Sequence, residues 1–330
     1  MTGEARGSLV QRLRARFVAA ASRLLTILPE GPVDAAGNLV GDAWYRAGGD
    51  RVELGRRNLQ RVVRYLADQS LGGPRVKAAA TDGAALERLL RATFRQTVRY
   101  YLDMARLPGR SAADLDRRLT IETKESVDRA FGPDAPSVLV AMHYGAVEFP
   151  ALFAVARSGR SIRAPMETIS DPPMQEWLVR TRSLAGVEIV GLRDARKALL
   201  EALADGRTIG LVADRNVAGG TVAVPFFGTK APLPMGPALL AIEAGRPIYL
   251  AAVRRTGTAR YAGGLYPVEI VTEGTRRQRV EGTMANLAKA MEAAISVAPE
   301  QWWSLLAPIW PDLDPRAATG TGHLEPETAA

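Results

Sequence analysis

The sequence contains two histidines, and only His143 stands in a patterned stretch. It ends the apolar run Val138-Leu-Val-Ala-Met142, and the carboxylate of Glu148 follows five residues later. A histidine with a carboxylate on one ring nitrogen can offer the other as a base to a hydroxyl. The spacing restricts how the two could meet. On a continuous helix, residues five apart diverge by about 140°, so contact mid-helix is excluded. Contact is possible if His143 lies in a strand-to-helix turn and Glu148 opens the helix. Pro150 supports that start, because a first helical turn does not need its missing N–H, and the helix dipole favours a carboxylate there. The expectation is that Glu148 orients His143 and His143 takes a proton. The other histidine, His323, lies in a polar tail.

The elements that must position these residues read as an α/β fold. Turn residues Gly132 to Pro136 precede the strand that ends at His143. Strand patterns recur at 161–164, 187–190, 208–213 and 247–253, and helical patterns at 173–184, 194–204, 236–244 and 281–297. Such alternation predicts a mostly parallel central sheet flanked by helices. Ligands of open parallel sheets gather at the carboxyl ends of the strands. His143 and Asp214 each follow directly on a strand, so both are expected to face one crevice. Before this lies a helical N-terminal region with apolar residues at three- and four-residue steps over 8–28, 51–67 and 84–107. The reading is of a helical region over 1–110, an α/β core over 111–313 forming one globular unit with it, and a disordered tail over 314–330.

Composition narrows the chemistry. The 330 residues include no cysteine, which excludes disulfides, thiolate metal sites and cysteine nucleophiles. With two distant histidines no metal site is expected. The net charge is +8 and the sequence pI is near 10.0, a balance suited to a polyanionic partner. No apolar run is long enough to span a bilayer, and the first thirty residues lack a signal-peptide pattern. The protein is expected on the cytoplasmic side. Residues 8–28 place Leu9, Leu13, Phe17, Ala20, Leu24 and Ile27 at helical spacing, with Arg12, Arg14, Arg16 and Arg23 as a basic complement. This helix could cover the core, or lie in a membrane interface with its arginines toward anionic headgroups.

A second set of residues joins the first. Ala213-Asp214-Arg215-Asn216 ends a strand and opens a glycine-rich turn, followed by Pro225-Phe-Phe-Gly228, Pro234-Met-Gly-Pro237 and, much later, Pro299-Glu-Gln-Trp302. With His143-x4-Glu148, this ordered set resembles the lysophospholipid acyltransferase superfamily. The branch is that of the lipid A late acyltransferases and phosphatidylinositol mannoside acyltransferases, and the resemblance runs from about Leu54 to Pro311.

It implies a glycerolipid-acyltransferase-like fold and transfer of a fatty acyl group from a thioester, acyl-CoA or acyl carrier protein, to a lipid hydroxyl without a further cofactor. It implies His143 as general base and Glu148 as its orienting carboxylate. Arg182 matches the family's basic residue before the Val187 strand, and Asp214 falls on the acidic position of the third motif, with Arg215 beside it. Arg180 and Tyr144 join these three as candidate substrate-binding residues. Backbone N–H groups at the helix start, or Arg182, could hold the oxyanion, and Arg182 and Arg215 could equally hold phosphates. The motif carries Ala146 where relatives often have asparagine. Like the mannoside branch, the chain has a basic amphipathic helix in place of a membrane span. The expected partners are therefore an anionic membrane surface, the thioester donor and a lipid acceptor, with no nucleic acid. Two other readings fit the same residues: a non-catalytic protein binding anionic lipid or nucleic acid, and a thioester hydrolase using the same site.

Overall fold

The structure, a computed structural model, describes residues 7–132, 135–216 and 219–314; the tail expected to be disordered otherwise lies outside these. Five helices come first: α1 (Leu9–Ile27), α2 (Glu30–Ala47), α3 (Asp50–Asp68), α4 (Pro74–Thr81) and α5 (Gly83–Arg106). Ser8 and Gln11 cap α1 reciprocally, each side chain accepting from the other's backbone N–H. The sequence stretch Pro29-Glu-Gly-Pro32 does end α1, but it also opens α2, with Pro32 in the first turn. Glycines inside α2 hid that helix, since glycine weakens a helical pattern. Their reason is packing. A Cβ at Gly37 would lie 2.7 Å from Leu102, and one at Gly41 2.6 Å from the Arg95 backbone, so α2 and α5 approach at the glycine positions.

The α/β part follows in the order α6 (Ala112–Arg118), β1 (Leu119–Ile121), α7 (Lys124–Ala130), β2 (Val138–Ala141), α8 (Phe149–Ser158), β3 (Ile162–Met166), α9 (Pro172–Leu184), β4 (Val187–Gly191), α10 (Ala195–Ala204) and β5 (Ile209–Val212). It closes with β6 (Thr221–Phe226), β7 (Thr229–Pro234), α11 (Gly236–Ala244), β8 (Ile248–Gly257), β9 (Arg260–Val268) and α12 (Arg276–Val297). Seven strands form one sheet in the order β1-β9-β8-β2-β5-β3-β4. Every pair is parallel except β8–β9, so the fold is the expected mostly parallel α/β sheet. The strand β9 escaped the sequence reading, because Gly263 and Gly264 interrupt its pattern. The hairpin β6–β7 stands apart as a second, two-stranded sheet.

The helical region and the sheet share a core. Leu59, Val62 and Leu66 of α3 and Leu90 and Phe94 of α5 pack in one cluster with Val138 and Val140 of β2, Leu250 of β8, and Met284 and Leu287 of α12. On the other sheet face Leu139, Ala251 and Val253 meet Phe149 and Phe153 of α8.

Helix α1 departs from this arrangement. Its buried residues are the small Ala15 and Ser22. Leu9, Val10, Leu13, Phe17, Leu24 and Ile27 are instead between 54% and 78% exposed. Polar contacts help hold it: Gln11 Nε2 donates to Ser170 O at 3.2 Å, and Arg14 pairs with Asp171 at the start of α9. Of the two uses open to this helix, covering the core is not the one its large side chains serve. Among the described residues no helix is long and apolar enough to cross a membrane.

Candidate active site

Strand β2 lies inside the sheet between β8 and β5, and the chain leaves its end through Met142, His143 and a tight turn. Gly145 has φ +56°, and a Cβ there would lie 2.1 Å from the carbonyl oxygen of Val253. Only glycine fits both conditions. The next residue, Ala146, donates its N–H to that same carbonyl at 2.9 Å, so the turn rests on β8. Glu148 then caps α8, Pro150 sits in the first turn, and left-handed Gly159 closes the helix, as the spacing predicts.

The segment after α12 grips this turn from the other side. Gly145 N–H donates to Gln301 O, and Trp303 N–H to His143 O, both at 3.0 Å. The Gln301 side chain accepts from Arg255 N–H at 2.8 Å and donates to Arg255 O at 2.7 Å. Asn58 of α3 donates to Leu305 O and Ala307 O.

The partner of His143 is Asp214. Strands β2 and β5 pair in parallel with Ala141 opposite Val212, and two residues further along each chain His143 and Asp214 meet. Nδ1 of His143 lies 2.7 Å from Asp214 Oδ1. Asp214 Oδ2 accepts from His143 N–H at 3.1 Å, Trp302 Nε1–H at 2.7 Å and Ser304 Oγ–H at 2.8 Å. The carboxylate is fully buried. Burial pushes its pKa up, but the His143 imidazole and the bonds donated by His143, Trp302 and Ser304 outweigh that and hold it at about 2. An ionised carboxylate can only accept. Nδ1 must therefore carry a proton, which leaves Nε2 as the ring nitrogen not engaged by the carboxylate.

The expectation that Glu148 orients His143 is thus corrected. Oε1 of Glu148 accepts from Arg182 Nε at 3.2 Å and Nη2 at 3.0 Å, and among the described residues no hydrogen bond joins it to His143. The turn carries Glu148 to the start of α8, opposite α9, while sheet register brings Asp214 to the histidine. Arg182 Nη1 also lies 3.1 Å from Met166 Sδ, at the end of β3. Burial works against the guanidinium's charge, but Glu148 and Tyr100 outweigh it and raise its pKa above the ordinary value. The start of α8 therefore holds a fixed cation, the guanidinium paired with Glu148.

The remaining candidates separate. Tyr144, expected at the substrate, is 3% exposed and packs in the core, its hydroxyl without a partner. Its N–H donates to Met142 O at 2.6 Å in a turn centred on His143, and an isolated bridge joins it to Trp302. Arg180 is exposed on α9 and Arg215 half-buried beyond β5. No hydrogen bond or ion pair ties either to the site among the described residues. Sequence reasoning missed Gln301, Trp302, Trp303 and Ser304 as site residues. Their signal was the Pro-Glu-Gln-Trp-Trp-Ser run after α12, whose tryptophans read as core anchors.

A family model described as bacterial lipid A biosynthesis acyltransferase matches residues 8–308. The chain is 29% identical over 300 residues to a phosphatidylinositol mannoside acyltransferase of Mycolicibacterium smegmatis, a match covering 88% of this chain and 90% of that one. It is 26% identical over 261 residues to the phosphatidylinositol mannoside acyltransferase of a Mycobacterium tuberculosis strain, covering 77% of this chain and 76% of the relative.

Proposed function

The chain belongs to the bacterial lipid A biosynthesis acyltransferase family and is an acyltransferase, and from that premise we propose a reaction, a substrate class and a location. The protein transfers a fatty acyl chain from an acyl-CoA or acyl carrier protein thioester to a hydroxyl of a membrane glycolipid, or of a lysophospholipid. His143 is the general base. The observation that carries this reading is the His143–Asp214 pair at the carboxyl ends of two adjacent parallel strands, with Nδ1 bonded to the carboxylate and Nε2 not engaged by it.

The reaction follows from that geometry. Nε2 takes the proton of the acceptor hydroxyl as its oxygen attacks the thioester carbonyl, a contribution of about 10²–10⁴-fold. The tetrahedral oxyanion needs donors. Arg182, held in place by Glu148, is one candidate; the backbone N–H groups of Val147 and Glu148, which have no acceptor among the described residues, are the others. Collapse breaks the C–S bond, and the imidazolium returns its proton to the leaving thiolate. The ester product and free thiol then depart. Val212 is 44% exposed although β5 lies inside the sheet. With half-exposed Ala141 and Met166 on neighbouring strand ends, it offers an acyl chain an apolar surface beside the pair.

A peripheral position on the cytoplasmic face of the membrane fits the outer helices. The exposed side of α2 carries Ala35, Ala36, Leu39, Val40 and Ala43, with Arg46 exposed in its last turn. Together with the exposed apolar side chains of α1 it forms more apolar surface than a protein ordinarily leaves to water. Arg12, Arg16 and Arg23 are exposed on α1, as anionic headgroups require.

The test is thiol release from palmitoyl-CoA, and from an acylated carrier protein, with total membrane lipid as acceptor. Wild type is expected to release thiol in an acceptor-dependent way, with His143→Ala reduced by at least about 10²-fold. Full activity in folded His143→Ala would end the general-base assignment. Fatty acid appearing equally fast without acceptor would make the protein a hydrolase. Salt-sensitive vesicle binding without turnover of any donor would make it a binding protein.

A further inference from the structure

We infer that Trp303, braced by Tyr100, is a positioning residue that sets the plane of the His143 imidazole; the inference rests on His143 being the base. Asp214 fixes one ring nitrogen but does not by itself fix the tilt of the ring, because the torsion of an imidazole about its Cβ–Cγ bond is soft. The indole of Trp303 supplies the missing restraint. Its centroid lies 4.4 Å from that of His143 at an interplanar angle of 72°, the edge-to-face packing that aromatic rings prefer. Behind it, Tyr100 of α5 stacks on Trp303 at 4.8 Å and 29°. Tyr100 is itself 7% exposed, so the brace is anchored in the helical region rather than in solvent.

The main chain and the side chain of Trp303 do separable work. Its N–H donates to His143 O, and any residue but proline would keep that bond. Its indole Nε1–H is buried and unbonded. Such a group works against the fold, so what the side chain contributes at this position is its ring. Proton transfer requires Nε2 within hydrogen-bond reach of the acceptor hydroxyl, and a displacement of about 1 Å at a reacting group costs about 10²-fold in rate. A ring free to tilt loses that placement while Asp214, Trp302 and Ser304 all remain.

The chain has only two histidines, which makes the test direct. In the full chain carrying His323→Gln, nitrogen-edited NMR of the imidazole reads His143 alone. This parent is expected to show a single tautomer protonated at Nδ1. Adding Trp303→Phe keeps the ring contact, the tautomer and a kcat within about threefold of the parent. Adding Trp303→Leu leaves the Nδ1–H tautomer that Asp214 dictates, abolishes the indole ring-current shift of the His143 ring protons and lowers kcat by about 10²-fold, with KM for donor and acceptor within about twofold. Tyr100→Leu, which also removes a neighbour of Arg182, is read by NMR alone and moves the His143 ring-proton shifts in the same direction by less. Thermal melts confirm that each variant is folded. Unchanged His143 ring-proton shifts with undiminished kcat in Trp303→Leu would falsify the proposal. So would a loss confined to KM, which would assign Trp303 to substrate contact. If the parent showed no acyl transfer and Trp303→Leu still shifted the His143 ring protons, the acyl-transfer reading would fall and the positioning role would stand.

Discussion

At the scale of single residues the site turns on how many donors one carboxylate serves. Asp214 accepts from four N–H and O–H groups, and an amide in its place has only one acceptor oxygen. In Asp214→Asn one orientation sets NH2 against His143 Nδ1–H and the other sets it against three donors. Either way donors face donors in a buried site. The expected result is a kcat reduced about 10³-fold and a loss of about 2–4 kcal/mol in chemical unfolding. The pH dependence has a definite sign. The folded pKa of about 2 lies below the unfolded reference of about 3.9, so the stabilisation is present above pH ~4 and is lost as pH falls toward 2. His143 itself was legible in the sequence, because scarcity, an apolar run and a proline are local signals. Its partner was not. Asp214 lies 71 residues away and reaches His143 through β2–β5 register, which no local spacing encodes, whereas Glu148 was near in sequence and turned out to face Arg182.

Elements were legible where their pattern is continuous and obscured where packing demanded an untypical residue. Helices α1, α5, α9 and α12 carry unbroken periodicity; α2 and β9 contain the glycines described above. The Pro-Phe-Phe-Gly motif shows the same limit. It was visible as a motif, but its job is geometric: Phe227 and Gly228 take φ +50° and +77° to turn β6 into β7, as a two-residue hairpin turn requires. Glu292 of α12 accepts from the Phe227 N–H and from Tyr65 Oη–H, the latter at 3.1 Å. Burial raises the pKa of Glu292 despite these two bonds. The folded state therefore holds this proton more tightly than the unfolded chain, and stability declines as pH rises from the ordinary glutamate range through the raised pKa. Glu292→Gln keeps an acceptor for Phe227 and removes the titration. Its melting temperature at pH 8 is expected to exceed that of wild type by the equivalent of about 1 kcal/mol, with a flatter profile between pH 4 and 8. A wild-type profile that the substitution leaves unchanged would refute this account of the hairpin.

For the molecule as a whole, net charge and α1 periodicity raised a membrane surface as one of two uses, and periodicity could not say which side of the helix faces the protein. That depends on what it packs against, and α1 meets α5 and α9 with Ala15 and Ser22. The double substitution Leu13→Glu, Phe17→Glu alters two exposed side chains, so it is expected to leave the melting temperature within about 1 °C, as exposed sites generally do. Flotation with anionic vesicles is expected to fall at least tenfold, and added salt is expected to weaken wild-type binding. Undiminished flotation of the double variant would remove α1 as the docking element.

The grip of residues 301–304 on the catalytic turn also sets an order of events during synthesis. Domains fold from the N-terminal side as the chain emerges from the ribosome. Helices α1 to α5 and the strand bearing His143 leave first, while the groups that hold Asp214 Oδ2 and the His143 carbonyl arrive only with Trp302, Trp303 and Ser304. The turn bearing His143 can thus be completed only after residues 301–304 have been made. A chain truncated before Gln301 would leave Asp214 Oδ2 without Trp302 and Ser304 and the His143 carbonyl without Trp303.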